Sequence, residues 1–354
     1  MANQHIVIVT DLKAELQAYL SALTYDKLFI LTDTNTKEKC YPLLKDIPCI
    51  QQGEVISIEA GDTGKDITQL SAIWRVLSDK GASRHSLLVN LGGGMVTDMG
   101  GFAGATFKRG IPTINIPTTL MASVDAAVGG KTGINFNGLK NEIGAFYPPA
   151  CVLIDCTFLR TLDRDNLLSG YAEMLKHALL SSPEEYASVI SFDLGGQVDY
   201  ACLNRMVAQS VAIKERIVEE DPKELGIRKA LNLGHTIGHA IESLSFKRDH
   251  PLLHGHAVAA GIVCELYLSY KQCGFPSDRL TQVAYYIKEQ YPPFFFDCSE
   301  YDSLYELMTH DKKNESGIIN FTLLSDIGKV RINQSVEKAL ILESLDFYRE
   351  CFGI

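Results

Sequence analysis

Apolar residues follow two rhythms along this chain. Through the first 155 residues, short β-branched runs at 6–10, 27–32, 55–59, 86–91 and 113–116 alternate with stretches at 12–23 and 66–80 whose apolar positions recur at helical spacing. Strand and helix in alternation predict an α/β domain with a mostly parallel sheet covered on both faces. From about residue 156 the period changes. Apolar residues at three- and four-residue spacing predict helices over 157–177, 204–220, 228–244, 256–270 and 278–290. The boundary is expected at 148–156, where a Pro-Pro turn and a last short strand, CVLID, end the α/β pattern. The expected domains are therefore 1–155, α/β, and 156–354, mainly α-helical.

Composition sharpens this picture. A chain of 354 residues that is 46% hydrophobic can bury two cores, and two domains suggest a cleft. The net charge of -10, without a long Lys/Arg run, argues against a nucleic-acid scaffold or a membrane-surface protein. Local cations must then serve local anions. Nine scattered cysteines with no Cys-x-x-Cys pair fit reduced thiols in a cytoplasm, not a disulfide framework or a thiolate zinc site. The N-terminal residues lack a secretory pattern, and no apolar run reaches the roughly 18 residues that cross a bilayer, so a soluble protein is expected.

In such sheets ligands bind at the carboxyl ends of strands. The strand at 27–32 ends in Asp33, Thr34 and Asn35, which could hold ribose hydroxyls or simply form an Asx turn. EAGDTGK, residues 59–65, follows the next strand. LGGGMVTDMGG, residues 91–101, leaves a buried strand and enters a helix, which suits a pyrophosphate but departs from G-x-G-x-x-G and could equally be a generic glycine turn. Arg109 and Gly110 lead into the strand at 113–116, and residues 117–141 after it, with glycines between separated cations and an aspartate, read as an anion-binding loop and not as a helix or a strand interior. In LNLGHTIGHAIE, residues 231–242, His235 and His239 share one helix face. YAEMLKHAL, from Tyr171, sets Glu173 and Lys176 one turn apart, and LLHGHAV follows at 252–258. One Glu and two His would make an open catalytic metal site; each lone His would more often be a hydrogen-bonded core residue.

The motifs GGGMVTD, GFAGATFKRG, PTTLMASVDAAVGGKTG, LKN, GYAEMLK, GIRKALNLGHTIGHAIE and LHGHAV, in this order, resemble the 3-dehydroquinate synthase family over roughly residues 30 to 330. The resemblance implies a Rossmann-like NAD-binding domain, a helical C-terminal domain, a divalent metal (zinc or cobalt) and a homodimer. It implies metal ligands Glu173, His235 and His254. The cofactor would lie on Asp33, Thr34, Asn35, Asp62, Thr63, Gly64, Lys65, Gly93, Gly94, Met95, Val96, Thr97, Asp98, Thr118, Thr119, Phe158, Leu159, Arg160 and Thr161, with Lys131 and Lys140 nearby. Asp125, Lys131, Lys140, Asn141, Lys176, Lys214, Glu224, Arg228, Asn232 and His239 would face substrate, Arg109 would reach the neighbouring subunit's site, and Lys312 or Lys313 would add a contact. The implied substrate is a phosphorylated sugar acid, 3-deoxy-D-arabino-heptulosonate 7-phosphate. Sister cyclases acting on sedoheptulose 7-phosphate and an NAD- and metal-dependent polyol dehydrogenase are the alternatives.

Three departures from the family pattern stand out. His256 occupies a place where Glu is usual, leaving His254 and His256 as rival ligands on one segment, of which His254 is preferred. In GINFNGLKN the glycine sits one place early, and LDRDN stands where Leu-Pro-x-Arg-Glu is expected.

Overall fold

The computed structural model describes residues 4–61, 64–137, 139–309 and 319–354. The chain forms two compact units, Met1–Asp163 with Asp199–Glu215, and Arg164–Val198 with Arg216–Ile354.

The strands of the first unit are β1 (His5–Ile8), β2 (Leu28–Asp33), β3 (Glu54–Ile58), β4 (Leu87–Gly92), β5 (Thr113–Pro117), β6 (Lys131–Phe136), β7 (Leu139–Phe146) and β8 (Cys151–Ile154). Six of them make one parallel sheet in the order β1-β8-β5-β4-β2-β3. Every residue of β2 and β4 is buried, as a parallel sheet with both faces covered requires. Alternate side chains then feed two cores. Ile30 and Val89 join Leu12, Leu16 and Leu20 of helix α1 (Leu12–Ala22) on one face. After the short helices α2 (Thr34–Lys39) and α3 (Pro48–Gln51), α4 (Ile67–Asp79) covers the other face, where its Leu70, Ile73 and Leu77 meet Phe29, Leu31 and Leu88. Helix α5 (Gly94–Thr106) follows directly from β4.

The strands expected from sequence are present to within a residue or two. The loop expected over 117–141 needs correction. Residues 131–146 form an antiparallel hairpin, β6 on β7, with Lys131 and Lys140 on its strands. Gly129 and Gly130, at φ 95° and 67°, do make a turn, but Gly133 and Gly144 serve close packing across the hairpin. A Cβ on Gly133 would stand 2.7 Å from the Ile143 carbonyl oxygen, and one on Gly144 would stand 2.1 Å from that of Thr132.

In the second unit lie α6 (Arg164–Ser181), α7 (Pro183–Ser191), α9 (His235–Ser245), α10 (His254–Cys273), α11 (Ser277–Gln290), α12 (Tyr301–Thr309), α13 (Lys338–Phe352) and a hairpin of β9 (Asn320–Asp326) on β10 (Lys329–Ser335). Helix α8 (Tyr200–Glu220) groups with the first unit through Glu215. The sequence reading missed that hairpin and joined two pairs of elements that the structure separates. Residues 157–177 divide into a 3-10 turn, Cys156–Thr161, and α6, because the Asp155 carboxylate caps the turn and Leu162 is extended. Residues 228–244 divide into a 3-10 turn, Ile227–Asn232, and α9. The break is Gly234, whose φ of 77° is costly for any residue with a Cβ. Among the described residues no helix is long and apolar enough to cross a membrane.

Candidate active site

The helices of the second unit bring together the titratable residues singled out from sequence. Glu173 and Lys176, one turn apart on α6, are an ion pair whose side chains are 0% and 1% exposed. His235 opens α9, His239 follows one turn later, and His254 opens α10. His235 Nε2 lies 3.4 Å and His254 Nε2 3.5 Å from the same Glu173 oxygen, Oε1. The three imidazole centroids are 5.2 to 5.7 Å apart.

Hydrogen bonds set the direction of two of these rings. His235 Nδ1 lies 3.0 Å from the Leu233 carbonyl oxygen, which can only accept, so Nδ1 carries the proton and Nε2 keeps its lone pair. His254 Nδ1 lies 3.2 Å from Glu242 Oε2. Burial favours neutral Glu173, but the charges of Lys176 and His235 outweigh it and hold the carboxyl well below its usual range. Burial, aided by Lys176, lowers the His235 pKa to about 3. For His254 burial works downward, yet Glu242 and Glu173 overcome it and push the pKa up to about 10.

A cation suits this place. Lys176 meets Glu173 Oε2, while the buried Oε1 faces the two imidazole Nε2 atoms at 3.4 and 3.5 Å, longer than good hydrogen bonds. A carboxylate facing two imidazole Nε2 atoms is a hard-and-borderline donor set of the kind divalent zinc or cobalt takes. His235, His239 and His254 also form a mutually close set with ligand atoms within 4.8 Å. His256 points elsewhere, with its ring edge-on to Tyr291 at 5.5 Å and burial lowering its pKa.

The turn before α9 carries further polar residues. The Asp221 carboxylate accepts backbone N–H groups of Leu225 at 3.0 Å, Gly226 at 2.6 Å and Arg228 at 3.1 Å. Arg228 is buried and donates Nη1 to the Pro222 carbonyl at 2.7 Å. Glu224, at φ 61°, accepts from Asn232 Nδ2 at 3.0 Å.

The first unit offers mostly backbone. At the carboxyl end of β4, Gly93 is the N-cap of α5 and brings no side-chain cap hydrogen bond. A Cβ on Gly93 would meet Thr119 Cγ2 at 3.0 Å, and one on Gly94 would meet Ala126 Cβ at 3.1 Å, so the glycines let the turn pack closely against both residues. The side chains around it are largely committed. Asp33 Oδ1 caps α2 by accepting from Thr36 N at 2.7 Å, and Thr34 Oγ1 accepts from Ala60 N at 3.3 Å, while Asn35 lies on the same helix. Lys65, just after Gly64, is buried on Asp98 at 2.5 Å and also bonds Asn141 Oδ1. Val96 and Thr97 are buried in α5, with Met95 packed against the same core. Thr118 is buried, and Thr119 Oγ1 accepts from Ala122 N at 3.1 Å.

Lys214 Nζ reaches Asp125 Oδ1 at 2.7 Å. Phe158 and Leu159 are buried, Phe158 within the sheet core; Arg160 lies over the Tyr200 ring at 4.9 Å, and Thr161 Oγ1 donates to the Phe158 carbonyl. Arg109 sits in a tight turn beside Lys108, both at positive φ. Asp62, Thr63, Lys312 and Lys313 lie outside the described residues. The sequence reading assigned no role to Asp221, Glu242 or Glu265. Asp-Pro at 221 was a turn signal, and Glu242 stood in the quoted histidine motif, two helical turns from His235. Glu265 had no comparable signal.

Solved structures of this architecture include sugar phosphate cyclases. The 2-epi-5-epi-valiolone synthase of Streptomyces hygroscopicus, solved with NAD+ and Zn2+, matches with a TM-score of 0.89 at 24% identity over 99% of this chain and 98% of that one. A 2-deoxy-scyllo-inosose synthase, solved with carbaglucose-6-phosphate, NAD+ and Co2+, matches with a TM-score of 0.84 at 21% identity over 98% and 96%. At those identities the likeness shows a shared fold. Sequence is more specific: the 3-dehydroquinate synthase N-terminal and C-terminal family models match residues 55–169 and 170–314. The 3-dehydroquinate synthase of Parabacteroides distasonis is 73% identical over all 354 residues and the whole of that protein. The chain belongs to the 3-dehydroquinate synthase family.

Proposed function

We propose that this chain converts 3-deoxy-D-arabino-heptulosonate 7-phosphate to 3-dehydroquinate and phosphate, and that its metal ligands are Glu173, His235 and His254. The observation carrying this reading is the buried Glu173 carboxylate, paired with Lys176 through one oxygen and facing two imidazole Nε2 atoms at 3.4 and 3.5 Å with the other, in a chain 73% identical to a 3-dehydroquinate synthase. When bound, a divalent zinc or cobalt ion lowers the pKa of a substrate hydroxyl. When bound, NAD+ supplies a transient oxidation that acidifies the neighbouring C–H, so that phosphate can leave before the ketone is reduced again and an aldol step closes the ring.

The protein's own residues hold the substrate's charges and orient its oxygens. The substrate carries a carboxylate and a phosphate, and Lys131, Lys140, Asn141, Lys176, Lys214, Arg228, Asn232 and His239 are the groups we assign to them, with Asp125 and Glu224 fixing cations and amides in place. Arg228 suits the planar carboxylate, since its fork makes two parallel hydrogen bonds. Lys176, paired with Glu173, keeps that carboxylate ionised. Gly93, Gly94 and the open end of α5 receive the dinucleotide, with Asp33, Thr34, Asn35, Lys65, Asp98, Thr118 and Thr119 around it. We read the enzyme as a cytoplasmic homodimer in which Arg109 reaches the partner's site. Its nine free cysteines agree with a reducing compartment.

The test is purified protein with NAD+, zinc or cobalt, and the heptulosonate phosphate, following phosphate release and dehydroquinate together. Equal rates of both products with no accumulation of NADH absorbance are expected. Stoichiometric NADH would support a polyol dehydrogenase, and preference for sedoheptulose 7-phosphate a sister cyclase.

A further inference from the structure

Two buried carboxylates outside the assigned ligand set, Glu242 and Glu265, reach the histidine-bearing ends of α9 and α10. Glu242, on α9, is 3% exposed, and its Oε2 lies 3.2 Å from His254 Nδ1 at the start of α10. Glu265, on α10, is fully buried and accepts the backbone N–H groups of Gly234 at 2.7 Å and Ile237 at 3.1 Å, where α9 begins beside His235. Each helix therefore supplies a carboxylate that fixes the histidine-bearing end of the other. The Glu265 bonds hold the register of the two helices, and that register brings Glu242 to His254.

We propose that Glu242 is a positioning residue for the metal site: by accepting the Nδ1 proton of His254 it fixes the tautomer and ring direction that leave Nε2 facing Glu173 Oε1. With a carboxylate facing each nitrogen the metal-free ring carries both protons; a cation takes the place of the one on Nε2, and Glu242 keeps the other at Nδ1. The alternative tautomer would put a proton on Nε2, where a cation needs a lone pair. The Glu173 charge is shared with Lys176, so the Glu242 charge also compensates part of a divalent cation. This inference rests on the proposed ligand set.

The experiment compares Glu242→Gln, which keeps an acceptor oxygen but loses the charge, with Glu242→Leu, which loses both. Zinc affinity of the metal-stripped protein is read by chelator competition, and the visible spectrum of the cobalt form reports ligand geometry. Glu242→Leu should weaken zinc by about 10- to 100-fold and change the cobalt spectrum. Glu242→Gln should weaken zinc less and keep the parent spectrum. Combined with His254→Ala, Glu242→Leu should add almost nothing, because the carboxylate acts through that ring. A lowered Tm with parent-like zinc affinity and cobalt spectrum would overturn the proposal. So would additive losses in the double variant, which remains informative through Glu242→Gln if the leucine variant folds poorly. Parent-like zinc affinity in His254→Ala alone would instead overturn the ligand assignment.

Discussion

The two units prepare their chemistry in opposite ways. In the second, the polar groups are buried side chains: Glu173 and Lys176 are almost wholly enclosed, and His235 and His254 arrive at helix starts with one ring nitrogen each already committed. In the first, the open surface is backbone at Gly93 and Gly94, and Asp33, Thr34, Lys65 and Thr119 are engaged in the loop's own hydrogen bonds. A buried charge set is rigid and intolerant of change, because each charge depends on its neighbours. A backbone cradle is tolerant of many side chains but not of a new Cβ. Damage to the second unit should therefore remove both metal and stability, and damage to the first should remove affinity alone.

The sharpest break falls on Glu173. Glu173→Ala leaves the Lys176 ammonium buried without its carboxylate, a change that costs about 3 to 5 kcal/mol in comparable pairs. We expect loss of bound zinc, activity below detection and a lower Tm even in metal-free protein. His235→Ala should lose zinc and activity with a smaller fall in Tm. His239→Ala should lose activity yet retain zinc, and zinc loss there would shift the ligand set to the three histidines. Elemental analysis with calorimetry separates these outcomes.

A smaller effect is expected at Arg228. Arg228→Lys keeps the charge but loses the fork, at about 1 to 3 kcal/mol in transition-state binding. The readout is kcat/KM for the heptulosonate phosphate against sedoheptulose 7-phosphate, which lacks the carboxylate. A variant that turns over the carboxylate-bearing substrate as well as the parent would remove Arg228 from that role.

The first unit's counterpart is Gly93→Ala. Gly93 has φ -73° and ψ -171°, which alanine adopts freely, and the added Cβ would touch Thr119 Cγ2 at 3.0 Å. Stability should hold within about 1 kcal/mol. NAD+ affinity should fall by about tenfold, or ~1.4 kcal/mol, measured by titration calorimetry. A large drop in Tm with unchanged NAD+ affinity would show that this turn is structural.

Legibility in the sequence followed the same division. The parallel strands were readable because β2 and β4 are buried throughout, and period and composition then agree. The pairings His235 with His239 and Glu173 with Lys176 were readable because helical spacing fixes which residues share a face, whereas the meeting of α6, α9 and α10 was not, and the metal roles came from family resemblance. What failed was local. The 117–141 segment looked like a loop because glycine has two uses, and both occur there: Gly129 and Gly130 turn the chain, while Gly133, facing Gly144, lets two strands pack closely. The helix expected over 228–244 was interrupted because apolar spacing continues across Gly234 while the backbone does not. Glu242 and Glu265 stayed unassigned because a carboxylate's burial depends on a partner helix distant in sequence.

The smallest predicted effect tests whether the turn before α9 belongs with the rigid group or with the tolerant one. Three backbone N–H groups, from Leu225, Gly226 and Arg228, converge on the Asp221 carboxylate, so this side chain defines the path from α8 to the 3-10 turn that carries Arg228 and Asn232. Partial burial works to raise the Asp221 pKa, but the three N–H bonds and the nearby Arg228 charge outweigh it, and the folded-state pKa is lowered. The sign follows from linkage. A carboxyl with a lowered folded pKa adds stability that is fully present above its unfolded pKa, about 3.9, and lost as pH falls through the folded value. The stability difference between parent and Asp221→Asn should therefore be constant from neutral pH down to about pH 5 and shrink in stronger acid. An asparagine oxygen can still accept one of the three N–H bonds, so the turn should loosen without unfolding. We expect a few-fold rise in KM for the heptulosonate phosphate with kcat nearly unchanged, since Arg228 and Glu224 would be less well placed before substrate binds but correctly placed afterwards. Urea unfolding across that pH range and steady-state kinetics provide the two measurements. A stability difference that grows in acid, or a loss confined to kcat, would show that Asp221 does not act through this turn.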